Sequence, residues 1–176
     1  MVIVDDCQED RAEVRRLLLL GSERRYRFLE AETGAAAIAA CQAGPDGRSD
    51  GPPDCVILDF SLPDMNGGEV LEALRAGGPL TICPVLVLTG NPAEGRGPAM
   101  LRAGAQDYLN KSWMNAESLY RSVENAIERH RMNREALQRE AALQESQAQL
   151  ALALSAARLT ADALRTSQAQ LAGVTG

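Results

Sequence analysis

The sequence predicts an α/β fold, a doubly wound five-stranded parallel sheet followed by one long C-terminal helix. Three observations predict it. Short apolar runs alternate with amphipathic stretches through the first 130 or so residues. Several of those runs are apolar at every position, as in strands covered by helices on both faces of a parallel sheet. The composition then changes near residue 130: almost all the Gly and every Pro precede it, and Ala, Gln, Leu, Glu and Arg dominate after it, with no Gly until Gly173.

The elements follow in chain order. Met1–Val4 reads as a strand and Glu9–Leu20 as a helix. Tyr26–Ala31 is a second strand, and Gly34–Ala43 a second helix. Gly44–Pro53, rich in Gly, Pro and Asp, reads as a mobile polar loop. Cys55–Leu58 is a continuous apolar run ending at Asp59, with a helix over Gly68–Ala76. Val85–Leu88 is another strand, followed by a weak helix within Ala93–Ala103. Asp107–Leu109 is a short strand, and a helix starts near Asn115. Five βα units in a row specify the doubly wound sheet.

Composition narrows the function. The chain has 176 residues, enough for one domain with an appendage, and a net charge of -6. That balance, with no Lys/Arg block longer than two residues, argues against a nucleic-acid partner. No stretch of about 20 apolar residues is present to span a membrane, and no signal peptide opens the chain; a cytoplasmic protein is expected. Cys7, Cys41, Cys55 and Cys83 form no C-x-x-C pair and read as ordinary cytosolic thiols.

Sites in open parallel sheets form beyond the carboxyl ends of the strands. Here those ends deliver Asp5 and Asp6, then Asp59, then Thr89, with Lys111 following the fifth strand. Clustered carboxylates repel unless a cation neutralises them, and an all-oxygen set suits Mg²⁺. A carboxylate can take a phosphoryl group as a nucleophile. Lys111 supplies a compact positive charge for phosphate and Thr89 a hydroxyl donor. Taken singly, each of these residues reads as a turn, cap or solvated loop residue; the combination at strand ends carries the signal.

Four segments give the chain a family resemblance: Val2–Asp6, Val56–Asp59 with Pro63 and Gly67 after it, Val87–Gly90, and Gly104–Lys111. With them, residues 1–130 resemble the receiver domain of bacterial two-component response regulators. The resemblance implies a flavodoxin-like sheet in the order 2-1-3-4-5. It implies phosphorylation of Asp59 by a partner histidine kinase or phosphotransfer protein. Asp5, Asp6, Asp59 and the backbone carbonyl of Ser61 would hold Mg²⁺, and Thr89 and Lys111 would contact the phosphoryl group. Thr89 and Tyr108 would form a switch in which the hydroxyl moves toward phosphate and the ring turns inward. The family usually has Pro after the lysine, with a cis bond, where this sequence has Ser112. The loop Gly44–Pro53 is longer than usual, and the Gly- and Pro-containing segment Asn91–Gly97 points to a short fourth helix.

Residues 131–176 read as a signalling helix. Leu119, Val123, Ala126 and Ile127 form an apolar face for the sheet. Further on, Leu143, Leu150, Ala157, Leu164 and Leu171 recur every seventh residue, with Leu154 and Ala161 at alternate seam positions and Gln147 and Gln168 weakening the seam. Leu137 lies off this register, which suggests a stutter. Ala142–Leu150 (ALQESQAQL) returns three heptads later as Ala163–Leu171 (ALRTSQAQL). The expected result is a parallel coiled-coil homodimer, and the segment resembles the linker helix that precedes sensory or kinase domains in larger signalling proteins. His130, the one histidine, reads as a helix-surface residue.

Two other classes share parts of this pattern. A haloacid-dehalogenase-type phosphatase also uses a nucleophilic Asp with Mg²⁺, but places a second Asp two residues on, where this chain has Ser61. A receiver-like dimerisation scaffold without phosphorylation would not need Asp5, Asp6, Asp59, Thr89 and Lys111 together. The expected protein is a phosphoacceptor and not an enzyme.

Overall fold

The computed structural model describes residues 1–22, 24–43, 51–90 and 97–174. It divides into two compact units, Met1–Asn133 and Arg134–Gly176. In the first unit, β1 (Val2–Val4), β2 (Leu29–Ala31), β3 (Val56–Asp59), β4 (Val85–Thr89) and β5 (Asp107–Asn110) alternate with α1 (Gln8–Gly21), α2 (Gly34–Ala43), α3 (Gly67–Arg75) and α4 (Gly97–Ala103). A short 3₁₀ turn, Lys111–Trp113, leads to α5 (Ala116–Val174). All strand pairs are parallel, in the order β2-β1-β3-β4-β5.

The strands sort their side chains onto two faces, as the two-residue period requires. Val2, Val4, Val56, Leu58, Val85 and Val87 join one core with residues of α2, α3 and α4. Ile3, Ile57, Leu86 and Leu88 point the other way, onto Val14, Leu17 and Leu18 of α1 and Leu119, Val123 and Ala126 of α5. Burying each such side chain contributes roughly 1.5–3 kcal/mol, which is why these runs tolerate no polar residue before their ends. The observed strand β2 is shorter than the expected Tyr26–Ala31. Its pairing with β1 stops at Val2↔Leu29, and the Met1 ammonium donates to the Arg27 carbonyl at 3.0 Å. Tyr26 and Phe28 instead stack on each other, with ring centroids 5.5 Å apart.

The helix starts are locally encoded. Asn66 caps α3 by accepting from the Gly68 and Glu69 backbone N–H groups, while Glu69 accepts from the Asn66 N–H, a reciprocal capping box. The expected mobile loop Gly44–Pro53 has its first seven residues outside the described set, as has Asn91–Arg96. α4 is short, seven residues.

One expectation needs correction. His130 is 6% exposed, and its Nε2 lies 2.8 Å from the Thr81 carbonyl oxygen. It falls on the same stripe as Leu119, Val123 and Ala126, so the helical period turns it inward rather than to the surface. Beside it, Arg129 donates to the Gln106 carbonyl at 3.0 Å.

The second unit is helical through Val174. Leu143, Leu150, Leu154 and Leu164 are 53–62% exposed in the single chain. No helix among the described residues is long and apolar enough to cross a membrane.

Candidate functional site

Parallel register brings the carboxyl ends of the strands to one edge. Val4 pairs with Leu58, Leu58 with Val87, and Thr89 with Asn110. Asp5, Asp59 and Lys111 therefore meet although more than 100 residues separate the first from the last, and Thr89 ends the neighbouring strand. The Asp5 and Asp59 side chains are 3% and 9% exposed. The Lys111 ammonium sits between them, 2.7 Å from Asp5 Oδ2, 2.7 Å from Asp59 Oδ1 and 2.7 Å from Asp10 Oδ2. The other oxygens are held by backbone: Asp5 Oδ1 accepts from the Cys7 N–H at 2.9 Å and Asp59 Oδ2 from the Ser61 N–H at 2.8 Å. Asp6 is exposed and Thr89 half-buried.

Burial pushes the Asp5 carboxyl up; the Lys111 and Cys7 hydrogen bonds pull against it, the neighbouring Asp59 charge adds to it, and the net direction is upward. Burial alone would lower the Lys111 ammonium, but its hydrogen bonds to Asp10, Asp5 and Asp59 outweigh that and raise it. Lys111 is the only lysine in the chain, so the consequence can be isolated. A lysine whose folded pKa lies above its unfolded value contributes stability that is complete below the unfolded pKa and is lost as pH rises through the folded one. Wild-type stability should thus fall from about pH 10.5 upward more steeply than that of Lys111→Met, measured as urea midpoints against pH. Parallel curves would show that the ammonium contributes nothing.

The sequence model of the response regulator receiver domain matches residues 1–124. The chain belongs to the response regulator receiver family. The transcriptional regulatory protein KdpE of Mycobacterium tuberculosis is 39% identical over 114 residues, covering 64% of this chain and 46% of KdpE. The chain thus matches less than half the length of that relative. Among solved structures, the signal receiver domain of the response regulator NarL from Mycobacterium tuberculosis aligns with a TM-score of 0.60 and 26% identity, covering 72% of this chain and 94% of that one. The Mn²⁺-bound form of the response regulator Rcp1 aligns with a TM-score of 0.55 and 30% identity, covering 69% of this chain and 86% of that one.

Within this receiver fold, the sequence-selected residues divide. Asp5, Asp59 and Lys111 are in contact. The Thr89 hydroxyl makes no hydrogen bond among the described residues, and Asp6 stands in solvent beside Asp5. Tyr108 is 41% exposed, with its ring over Gly97 at the start of α4, so close that a Cβ there would collide with it. Gly97→Ala should therefore displace the ring, at a cost of about 1 kcal/mol, the low end for overpacking, because the crowded atoms end a movable side chain. A structure of the variant with the ring in its original seat would contradict this. The peptide bonds of the described residues include no cis bond, and Lys111–Ser112 opens the 3₁₀ turn, capped by Asn110 Oδ1 accepting from the Ser112 N–H at 2.7 Å.

Among the described residues no three Asp, Glu, His or Cys side chains stand ready around a metal position. The donor chemistry nevertheless fits a hard divalent cation: buried Asp5 and Asp59 with exposed Asp6 adjacent supply only oxygens. In this receiver the ammonium already offsets the buried carboxylates.

Sequence reading missed two contributors. Asp10 lies in the first turn of α1, and its signal was only one more acid in an acidic stretch. Arg11 is 5% exposed; it donates to the Asp5 carbonyl at 2.7 Å and pairs with Glu30 and Glu32 at 3.2 and 2.8 Å. It thereby fixes the backbone that presents Asp5.

Proposed function

We propose that this receiver takes a phosphoryl group on Asp59 from a histidine kinase or phosphotransfer partner in the cytoplasm, in a Mg²⁺-dependent step. The observation that carries the reading is the buried Asp59 carboxylate at the end of β3 with the Lys111 ammonium 2.7 Å from one oxygen. In the transfer, an Asp59 oxygen forms the new bond to phosphorus as the bond to the donor's imidazole nitrogen breaks, and the imidazole leaves with the bonding pair. Lys111 follows the incoming oxygens and offsets their charge, and Thr89 donates its hydroxyl to one of them. Asp5, Asp6, Asp59 and the Ser61 carbonyl would hold Mg²⁺, which supplies charge neutralisation for the phosphoryl oxygens. Tyr108, displaced from Gly97, would follow Thr89 inward and complete the switch.

The output in this reading is the helix. Two copies pair through the exposed Leu143, Leu150, Leu154 and Leu164, and phosphorylation biases their packing. The chain acts as a phosphoacceptor, with any catalytic or other output supplied by a larger protein of which it is the receiver-bearing part, such as a hybrid kinase or multidomain regulator.

Incubation with a small acyl phosphate and Mg²⁺ should add the mass of one phosphoryl group to the wild type and none to Asp59→Asn. Equal labelling of the two would move the acceptor elsewhere.

A further inference from the structure

At the opposite edge of the sheet from Asp59 lies a second polar cavity, of about 200 Å³, bordered by the end of α3, the loop before β4, the end of α4 and one face of α5. Three arginines line it: Arg75, Arg102 and Arg129, with Asn133 beside them and no Asp or Glu among the lining residues. Two of the three are fixed by carbonyl groups rather than by acids. Arg75 donates to the Gly78 and Pro79 carbonyls, both at 3.3 Å, and its stem crosses Gly104, where a Cβ would lie 3.3 Å from its Cδ. Gly104 has φ +113°, a conformation side chains rarely adopt, so the absence of a side chain there leaves room for the arginine. Arg129 donates to the Gln106 carbonyl, and the Asp107 carboxylate stands 4.0 Å from it. Arg102 has no ion-pair partner among the described residues. The floor is rigid: Gln106, 6% exposed, accepts from the Val85 N–H at 2.6 Å and donates to the Gly104 carbonyl at 2.8 Å.

Three like charges held in so small a space repel one another, and the chain as a whole is acidic, with net charge -6. An anion is the group that would relieve the repulsion, and guanidinium forks match tetrahedral oxyanions best. The cavity exceeds what one phosphate needs and is open to solvent on its outer side. We propose that it is a phosphate-binding site, distinct from the phosphorylation site, for a small phosphate-bearing molecule or free phosphate. Lys111 lies five residues beyond Gln106, about 16 Å along the strand direction, so one anion cannot bridge the two sites.

The test is calorimetric titration of the full chain with inorganic phosphate and, separately, with a nucleoside monophosphate, at constant ionic strength and without divalent cation. Saturable one-to-one binding is expected in the wild type. Arg102→Gln, whose side chain has no ion-pair partner among the described residues, should weaken it about tenfold, as loss of one charged hydrogen bond does. Arg75→Gln combined with Arg102→Gln should abolish it. Tighter binding of the monophosphate would identify an esterified ligand, and equal binding the free anion. Absence of saturable binding for both probes, or unchanged affinity in Arg102→Gln, would overturn the proposal.

Discussion

Lys111→Ala is expected to damage this protein twice. Without its ammonium, the Asp5 and Asp59 side chains, 3% and 9% exposed, face each other with no cation between them. Removing one partner of a buried charge group costs about 3–5 kcal/mol. Lys111 itself is 23% exposed, so solvent screens part of the interaction and a loss near the lower end, about 3 kcal/mol, is expected. The variant should also accept phosphate from a small donor about 100-fold more slowly, the scale of losing one charge-stabilising group at a reaction centre. The two losses separate experimentally. Millimolar Mg²⁺ should raise the denaturation midpoint of Lys111→Ala more than that of the wild type, by mass action on the vacated carboxylates, while leaving phosphorylation slow. If the variant unfolds at the wild-type midpoint in a chelator, the three 2.7 Å contacts do not stabilise the fold. If it phosphorylates at the wild-type rate, another group neutralises the phosphoryl oxygens.

Truncation after Asn133 should convert a dimer into a monomer. The cut falls at the limit of the first compact unit and preserves the His130 contact with Thr81, so the receiver should stay folded. It removes Leu143, Leu150, Leu154 and Leu164, each more than half exposed in one chain. An isolated helix of this composition has little reason to persist in water without a partner covering its leucines. Pairing two copies buries that seam, whereas Gln147 and Gln168 limit how tightly it closes. Such a seam leaves two packings separated by only a few kcal/mol, the condition under which phosphorylation could choose between them. Sedimentation of full-length and truncated chains, each with and without a phosphate analogue, gives the answer. Two monomers, or two equally stable dimers, would remove the coiled coil from the functional reading while leaving the receiver assignment in place.

The sequence displayed the sheet well because its strands are buried on both faces. Val56–Leu58 and Val85–Leu88 could not be solvent-exposed segments, and each is followed at once by a polar residue selected for the site, Asp59 and Thr89. Asp59 was legible for the same reason, since it stands where an apolar run stops, whereas Lys111 follows the mixed strand Asp107–Asn110 and was legible only through the segment Gly104–Lys111 as a whole. Side chains reaching the site from helices were harder to see. Asp10 and Arg11 lie among alternating charges in α1, where nothing in the spacing separates an inward-turned residue from a solvated one. His130 was a different kind of miss, since its position eleven residues after Leu119 continues the buried stripe of α5. Residue type outweighed periodicity in that reading, and the periodicity was the better guide. The arginines around Gln106 were invisible for a topological reason, being separated in sequence and gathered only by the loop ends at the far edge of the sheet.

The solitary lysine has a practical consequence. Its ammonium is clasped by three carboxylates. Supplying carbon-13 lysine during expression would therefore install one side-chain ε-carbon resonance from this chain, at the centre of the site and with those contacts intact. That resonance would register whatever replaces the carboxylates around the nitrogen, giving a direct reading of site occupancy without any engineered label.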